Sequence, residues 1–281
     1  MIYNNAGELL DILKRENLWA QKKLGQNFLV NSQVLEKIIE AAEIKSTDRI
    51  LEIGPGLGIL TEQLAKHAAK VTCIELDQNI IPILKKNLGS AATGPSANVE
   101  IFHSDALKTE LPTAQYKLVA NIPYYITSPI LNHFLQPVNP NELRPSLIVL
   151  LVQKEVAQKI CAREGDQTVL SLQVQAFGKP SIICSVGKGS FFPQPNVDSA
   201  VLKIQTYDTP KVSNPAVFIK LMHAAFQQKR KKLSNTLPHA LNLAPEQAQQ
   251  LFTQSKISPD MRPQNISLDG WEALIQAYKN L

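Results

Sequence analysis

Five apolar runs, separated by stretches with helical spacing, constrain this chain more than any other feature. They read RILEIGPG (49–56), KVTCIELD (70–77), NVEIFHSD (98–105), YKLVANIPY (116–124) and PSLIVLLV (145–152). Between the first two, ILTEQLAKHA places Leu60, Leu64 and Ala68 four residues apart, on one face of a helix. Strand, helix, strand, repeated, predicts an α/β fold with a mostly parallel sheet covered on both faces. Further on, SIICSVGKGSFFPQPNVDSAVLKIQTY holds two strand-like runs around a Pro-rich loop, which predicts an antiparallel hairpin at one edge of that sheet.

The pattern changes near residue 208. DTPKVSNPA reads as a linker, and VFIKLMHAAFQQKRKKLSNTL, APEQAQQLFTQ and SLDGWEALIQAYKNL are helical with no strand candidate. Two domains are expected: 1–207, with a helical extension over 1–20, and a small all-α domain over 208–281.

Composition narrows the function classes. With 44% apolar and 19% charged residues the chain is globular, and a net charge of +5 favours a polyanionic partner. Cys73, Cys161 and Cys184 share no metal-ligand spacing and sit in apolar contexts, which predicts reduced core cysteines, no metal and a cytoplasmic location. The acidic N-terminal stretch does not resemble an export signal, and the longest aliphatic run, LIVLLV, is too short for a membrane span.

The strand ends carry the chemistry. EIGPGLG sets Gly54, Gly56 and Gly58 between a strand and a helix, where a ligand can approach the backbone. A dinucleotide fingerprint needs its third glycine at 59, which is Ile59, so a nicotinamide cofactor is disfavoured. The next strand ends in Glu75, suited to two ribose hydroxyls, and the third in Asp105, suited to a purine amino group. An adenosine-bearing ligand follows. The odd feature is NIPYYITSP (121–129), an Asn, a Pro and two Tyr where a strand end would more simply turn on Gly or Ser.

These motifs resemble the class I S-adenosylmethionine-dependent methyltransferases, and more narrowly the KsgA-type small-subunit ribosomal RNA adenine dimethyltransferases. The resemblance rests on KKLGQNFL (22–29), EIGPGLGILT, IELD, NIPYYITSPI, FFPQPNVDSAV (191–201), AFQQKRKKLSNTL (225–237) and RPQNISL (262–268), in that order. It implies a Rossmann-like methyltransferase domain and S-adenosylmethionine as methyl donor. Asn27 and Leu29 would close over the donor, Gly54 would admit its methionine end, Glu75 would bind ribose, and Asp105 would meet adenine. Asn121 would stand between donor and substrate.

On this resemblance the substrate is a pair of adjacent adenines in a hairpin near the 3′ end of small-subunit ribosomal RNA, within an assembling ribosomal particle, and the enzyme is a monomer away from membranes. The Asn121 side-chain oxygen and the Ile122 carbonyl would accept from the two amine hydrogens, with Pro123 holding that carbonyl. Tyr124 would stack on the extruded adenine, with Phe191 as a second face. His67 and His103 read as structural or solvated. Lys229, Arg230, Lys231 and Lys232, on successive helical positions with the first and last on one face, would bind RNA phosphates, where the family usually shows Arg-Arg-Lys. Lys22 and Lys23 offer another RNA path. The alternatives are a macrolide-resistance methylase of large-subunit RNA, a non-catalytic nucleic-acid-binding relative and a DNA adenine methylase. QNISL and the full PQPNVDSA loop weigh against the first, the intact strand-end residues against the second, and a helical tail with no obvious groove-reading motif against the third.

Overall fold

The computed structural model describes residues 3, 5–19, 25–89, 96–136 and 143–281. Lys22 and Lys23 lie outside the described residues. In chain order the elements up to the last parallel strand are α1 (Ala6–Arg15), β1 (Phe28–Leu29), α2 (Ser32–Ala42), β2 (Arg49–Ile53), α3 (Ile59–His67), β3 (Lys70–Glu75), α4 (Ile81–Leu88), β4 (Val99–His103), β5 (Lys117–Asn121), α5 (Thr127–Leu135) and β6 (Leu147–Gln153). Then come α6 (Lys154–Ile160), α7 (Val169–Phe177), β7 (Gly178–Val186), β8 (Phe191–Phe192) and β9 (Ser199–Thr206).

Seven strands form one sheet in the order β4-β3-β2-β5-β6-β9-β7. The strands from β4 to β6 in that order are parallel, and β9 runs antiparallel to β6, Leu150 facing Leu202. This is the expected Rossmann-like sheet, with β7 and β9 at one edge. The central run reads as continuously apolar because both its faces are covered: Leu147 to Val152 are all at most 2% exposed. On α3, Leu60, Leu64 and the cap Ala68 are buried, as their spacing predicts. The chain moves outward from β2 to β3 and β4, then returns to β5 on the other side of β2. Loops after β2 and β5 therefore diverge at a switch point, where such sheets hold ligands.

One pairing has no counterpart in the sequence reading. Inside the expected hairpin loop, β8 leaves the main sheet and pairs antiparallel with β1, setting Phe28 against Phe192 and Leu29 against Phe191. Two motifs distant in sequence, GQNFL and FFPQP, thus form one small ladder; Asn31 Nδ2 also donates to Ser190 Oγ across a separation of 159.

The chain divides into two compact units, Met1–Ala157 with Pro180–Thr206, and Gln158–Lys179 with Tyr207–Leu281. The second unit holds α7, α8 (Pro215–Phe226), α9 (Leu237–Leu241), α10 (Pro245–Ser255) and α11 (Leu268–Lys279). It takes in residues 158–179, which the sequence reading kept with the sheet. The reason is local bonding: Gln175 donates to the carbonyls of Ile160 and Ala162, and the Tyr207 and Lys211 amides donate to Phe177 and Ala176. Trp271, fully buried, meets the edge of Phe218 at 6.0 Å and stacks with Phe226 at 6.4 Å.

At the start of α11, a Cβ on Gly270 would lie 2.8 Å from Ile266 Cγ2 and 3.1 Å from Ile257 Cδ1. Gly270→Ala is expected to cost about 1 to 3 kcal/mol of stability through overpacking. Urea unfolding checks this: an unchanged midpoint would mean that both isoleucines yield freely.

Candidate active site

A cavity of about 290 Å³ opens at the carboxyl ends of the parallel strands. Residues following β2, β3, β4 and β5 line it, joined by the 25–29 segment. Gly54, at φ +65°, turns the chain out of β2, and a Cβ built on it would meet nothing within 4 Å. Its open side lets a ligand reach the backbone.

Glu75, the last residue of β3, is only 6% exposed. Its carboxylate accepts from the Gly56 amide at 3.2 Å and the Asp77 amide at 2.8 Å, so it clamps two loops. Burial pushes its pKa up, against the lowering effect of those backbone donors. A carboxylate has about four acceptor positions, so the backbone amides leave it room to accept from a ligand hydroxyl. Asp105, beyond β4, uses Oδ1 to accept from the Leu107 amide at 3.0 Å, while Oδ2 lies 3.9 Å from Lys108 Nζ.

The 25–29 segment is tied down at both ends of the cavity. Gln26 Nε2 donates to Asp77 Oδ2 at 2.9 Å, and Asn121 Nδ2 donates to the Asn27 carbonyl at 3.1 Å. Gly25, at φ +63°, packs so closely that a Cβ would stand 3.2 Å from both Pro123 Cβ and Tyr125 Cε1. Leu29 lines the cavity through its place in β1.

Asn121 ends β5 and spends its amide hydrogens on Asn27, which turns Oδ1 elsewhere. Among the described residues nothing donates to that oxygen or to the Ile122 carbonyl beside it. Two open acceptors therefore stand side by side on cavity-lining residues. Pro123, at φ −56° and ψ 134°, fixes the backbone that follows. Tyr124 is half-buried, and its hydroxyl is 2.6 Å from Ser199 Oγ at the start of β9, which holds the ring upright.

The structure gathers Asn27, Leu29, Gly54, Glu75, Asp105, Asn121, Pro123 and Tyr124 around one cavity. It does not bring Phe191 there. Pairing with Leu29 buries Phe191 to 3% exposure in the apolar core, so it is a core aromatic and not a second stacking face. The basic run is corrected as well. α8 ends at Phe226, and Lys229, Arg230, Lys231 and Lys232 are exposed in the turn beyond it, so no helical face unites the first and last. Lys232 Nζ pairs with Asp260 at 2.9 Å. His67 and His103 are exposed and bonded to the carbonyls of Gln63 and Leu76, and neither of the two is among the residues that line the cavity.

The sequence reading missed Glu52, Gln26, Tyr125 and Ser199. Glu52 had a visible signal, an acid inside the apolar run RILEI. It lines the cavity at 1% exposure, accepts from the Cys73 thiol at 3.5 Å, and burial pushes its pKa up to about 8.

Residues 17–280 match the ribosomal RNA adenine dimethylase family. The chain belongs to that family. It is similar to "Ribosomal RNA small subunit methyltransferase A" of Dehalococcoides mccartyi, 38% identical over 275 residues, covering 95% of this chain and 91% of the relative. The protein of the same name from Enterococcus faecalis is 39% identical over 285 residues, covering 96% and 94%. Among solved structures, a dimethyladenosine transferase from Plasmodium falciparum superposes with a TM-score of 0.75 at 29% identity, covering 90% of this chain and 98% of that one. The 23S rRNA methyltransferase ErmE shares the fold, with a TM-score of 0.69 at 24% identity and coverage of 90% and 100%. Among the described residues no cluster of His, Cys, Asp or Glu suited to a metal occurs, and no helix is long and apolar enough to cross a membrane.

Glu52 titrates near 8 in the folded chain, against an ordinary 4.5. Between those values the folded state holds a proton that the unfolded state has released. Stability linked to this site is complete below the lower value and is lost as pH rises to the upper one. Glu52→Gln should remove that loss, so its melting temperature relative to the parent should climb between about pH 5 and about pH 8.5. Glu75 contributes a slope of the same sign, which the variant keeps. Parallel melting curves for variant and parent across that range would show Glu52 to be ionised.

Proposed function

We propose that this chain transfers methyl groups from S-adenosylmethionine to the exocyclic N6 amines of two adjacent adenines in a hairpin near the 3′ end of small-subunit ribosomal RNA, twice per base. It does so in the cytoplasm, as a monomer, on an assembling ribosomal particle. The observation that carries this reading is the pair of acceptors without a donor among the described residues, Asn121 Oδ1 and the Ile122 carbonyl, on residues that line a cavity of about 290 Å³.

The cavity residues fit the donor. Gly54 leaves space at the backbone, Glu75 keeps acceptor positions for ribose, and Asp105 Oδ2 is available to an adenine amino group. When bound, the donor supplies a sulfonium methyl that is already electrophilic. What remains for the protein is the nucleophile. An adenine amine is a poor one because its lone pair is delocalised into the ring. Accepting both amine hydrogens at Asn121 and Ile122 draws the nitrogen toward tetrahedral geometry and orients its lone pair. The Asn27 carbonyl holds the Asn121 amide in the required flip. Tyr124, braced by Ser199, offers a face on which the extruded base stacks, worth about 1 to 3 kcal/mol per base. After transfer the nitrogen is acidic enough to lose its proton to water, so no dedicated base is required.

Recognition of RNA falls to Lys229, Arg230 and Lys231, which are exposed in the turn after α8. Lys232 contributes less, since Asp260 already pairs with it.

Mass mapping of adenine methylation in small-subunit RNA, from a strain lacking this chain and from its parent, tests the reading: methylation present in both would overturn it. Asn121→Ala should lower kcat by about 100-fold or more with a smaller effect on donor affinity, because it removes an acceptor aimed at the reacting amine. A rate near the parent's would remove Asn121 from the chemistry. Changing Lys229, Arg230 and Lys231 together to Gln should weaken RNA binding and flatten its salt dependence, by roughly 0.7 to 0.9 log units per lost phosphate contact. An unchanged salt slope would send the RNA elsewhere.

A further inference from the structure

The match to the family model begins at residue 17, and one residue lining the cavity comes from before it. Tyr3 lines the cavity and is 1% exposed. It belongs to the same buried cluster as Phe28, Ile59, Leu60 and Ile80, which also line the cavity. Those four residues come from the 25–29 segment, α3 and the turn before α4. Tyr3 therefore packs where elements of the donor site converge, although nothing in the chemistry above uses it.

The segment carrying Tyr3 is anchored independently of any ligand. Asn5 Oδ1 caps α1 by accepting from the Glu8 amide at 3.0 Å, and Leu9, Ile12 and Leu13 bury the helix against the core. Beyond its C-terminus, Glu16 pairs with Lys86 of α4 at 2.7 Å. The pair is exposed and contributes little stability alone, but it fixes the direction in which the segment runs. An aromatic side chain held at the end of such a strap is a formed wall, with its ordering cost already met in the free protein.

We propose that Tyr3, together with the capped helix α1, is a working part of the methyl-donor site, with the Tyr3 ring as a binding wall that excludes water from the bound donor. The ring acts through shape, so Tyr3→Phe preserves the wall and Tyr3→Ala opens it. This inference rests on the donor reading above.

Calorimetric titration of the full chain with S-adenosylmethionine decides it. The parent and Tyr3→Phe should bind within about twofold of each other, whereas Tyr3→Ala should raise the Kd roughly tenfold, the scale of losing part of a buried aromatic contact. Melting curves without donor separate a lost wall from a lost fold. If Tyr3→Ala does not fold, hydrogen exchange of the parent decides instead: saturating donor should slow exchange of the Leu9 to Leu13 amides. A folded Tyr3→Ala protein with parental Kd, or no added protection in the parent, overturns the inference and leaves the donor reading intact. A parent that fails to bind donor overturns both.

Discussion

The Glu75 carboxylate is the constraint around which the cavity is built. It is buried at the end of β3 and accepts from amides in two different loops, Gly56 after β2 and Asp77 after its own strand. Asp77 in turn accepts from Gln26, and the residue after Gln26 offers its carbonyl to Asn121. One line of hydrogen bonds thus runs from the glycine turn, past Glu75, to the carboxyl end of β5. Each bond contributes about 1 kcal/mol net of the water it replaces. Their shared effect is larger, because each loop is held by a neighbour that is itself held, and the cavity exists before any ligand arrives.

Burial gives that arrangement an electrostatic character. Glu52 and Glu75 both carry raised pKa values, caused mainly by removal from water and helped by neighbouring acids. A cavity that holds protonated or reluctantly ionised acids favours ligands bringing hydroxyls, amino groups or positive charge. S-adenosylmethionine has all three. The cost of the buried acids is therefore offset in the complex more than in the free protein.

Much of this was legible in the sequence, for physical reasons that also mark where it stopped. Parallel strands covered on both faces must be apolar throughout, so β2, β3, β5 and β6 announced themselves, and Gly54, Glu75, Asp105 and Asn121 were recognisable as strand-end residues. Phe191 was misplaced because a two-residue strand has no periodicity, and only its pairing with Leu29 decides where the ring goes. Residues 227–232 were misread as helix because no Gly or Pro interrupts them. The turn is imposed from a distance: the Leu233 amide donates to the Met261 carbonyl and the Ser234 amide to the Pro259 carbonyl. Tyr3 was invisible for the same reason, since its role depends on a tertiary approach that five residues of local sequence do not encode.

The choice of Asn at 121 follows from the same network. Its amide must do two things at once, donating from Nδ2 to the Asn27 carbonyl and presenting Oδ1 as an acceptor. A carboxylate at this position has no hydrogen for Asn27 and would set its charge against a carbonyl oxygen, in a cavity that already contains Glu52 and Glu75. Like charges in such surroundings drive one another toward protonation, and a protonated acid offers one oxygen as donor instead of acceptor. Asparagine is neutral at every working pH, so its acceptor stays an acceptor. Beside it, the Ile122 carbonyl is a backbone group held by Pro123 and titrates nowhere. In the proposed reaction, the Asn121 end of the cavity is thereby insulated from the proton equilibria of the acids that shape the rest of it, and amine activation would depend on geometry that β5 and the 25–29 segment fix together.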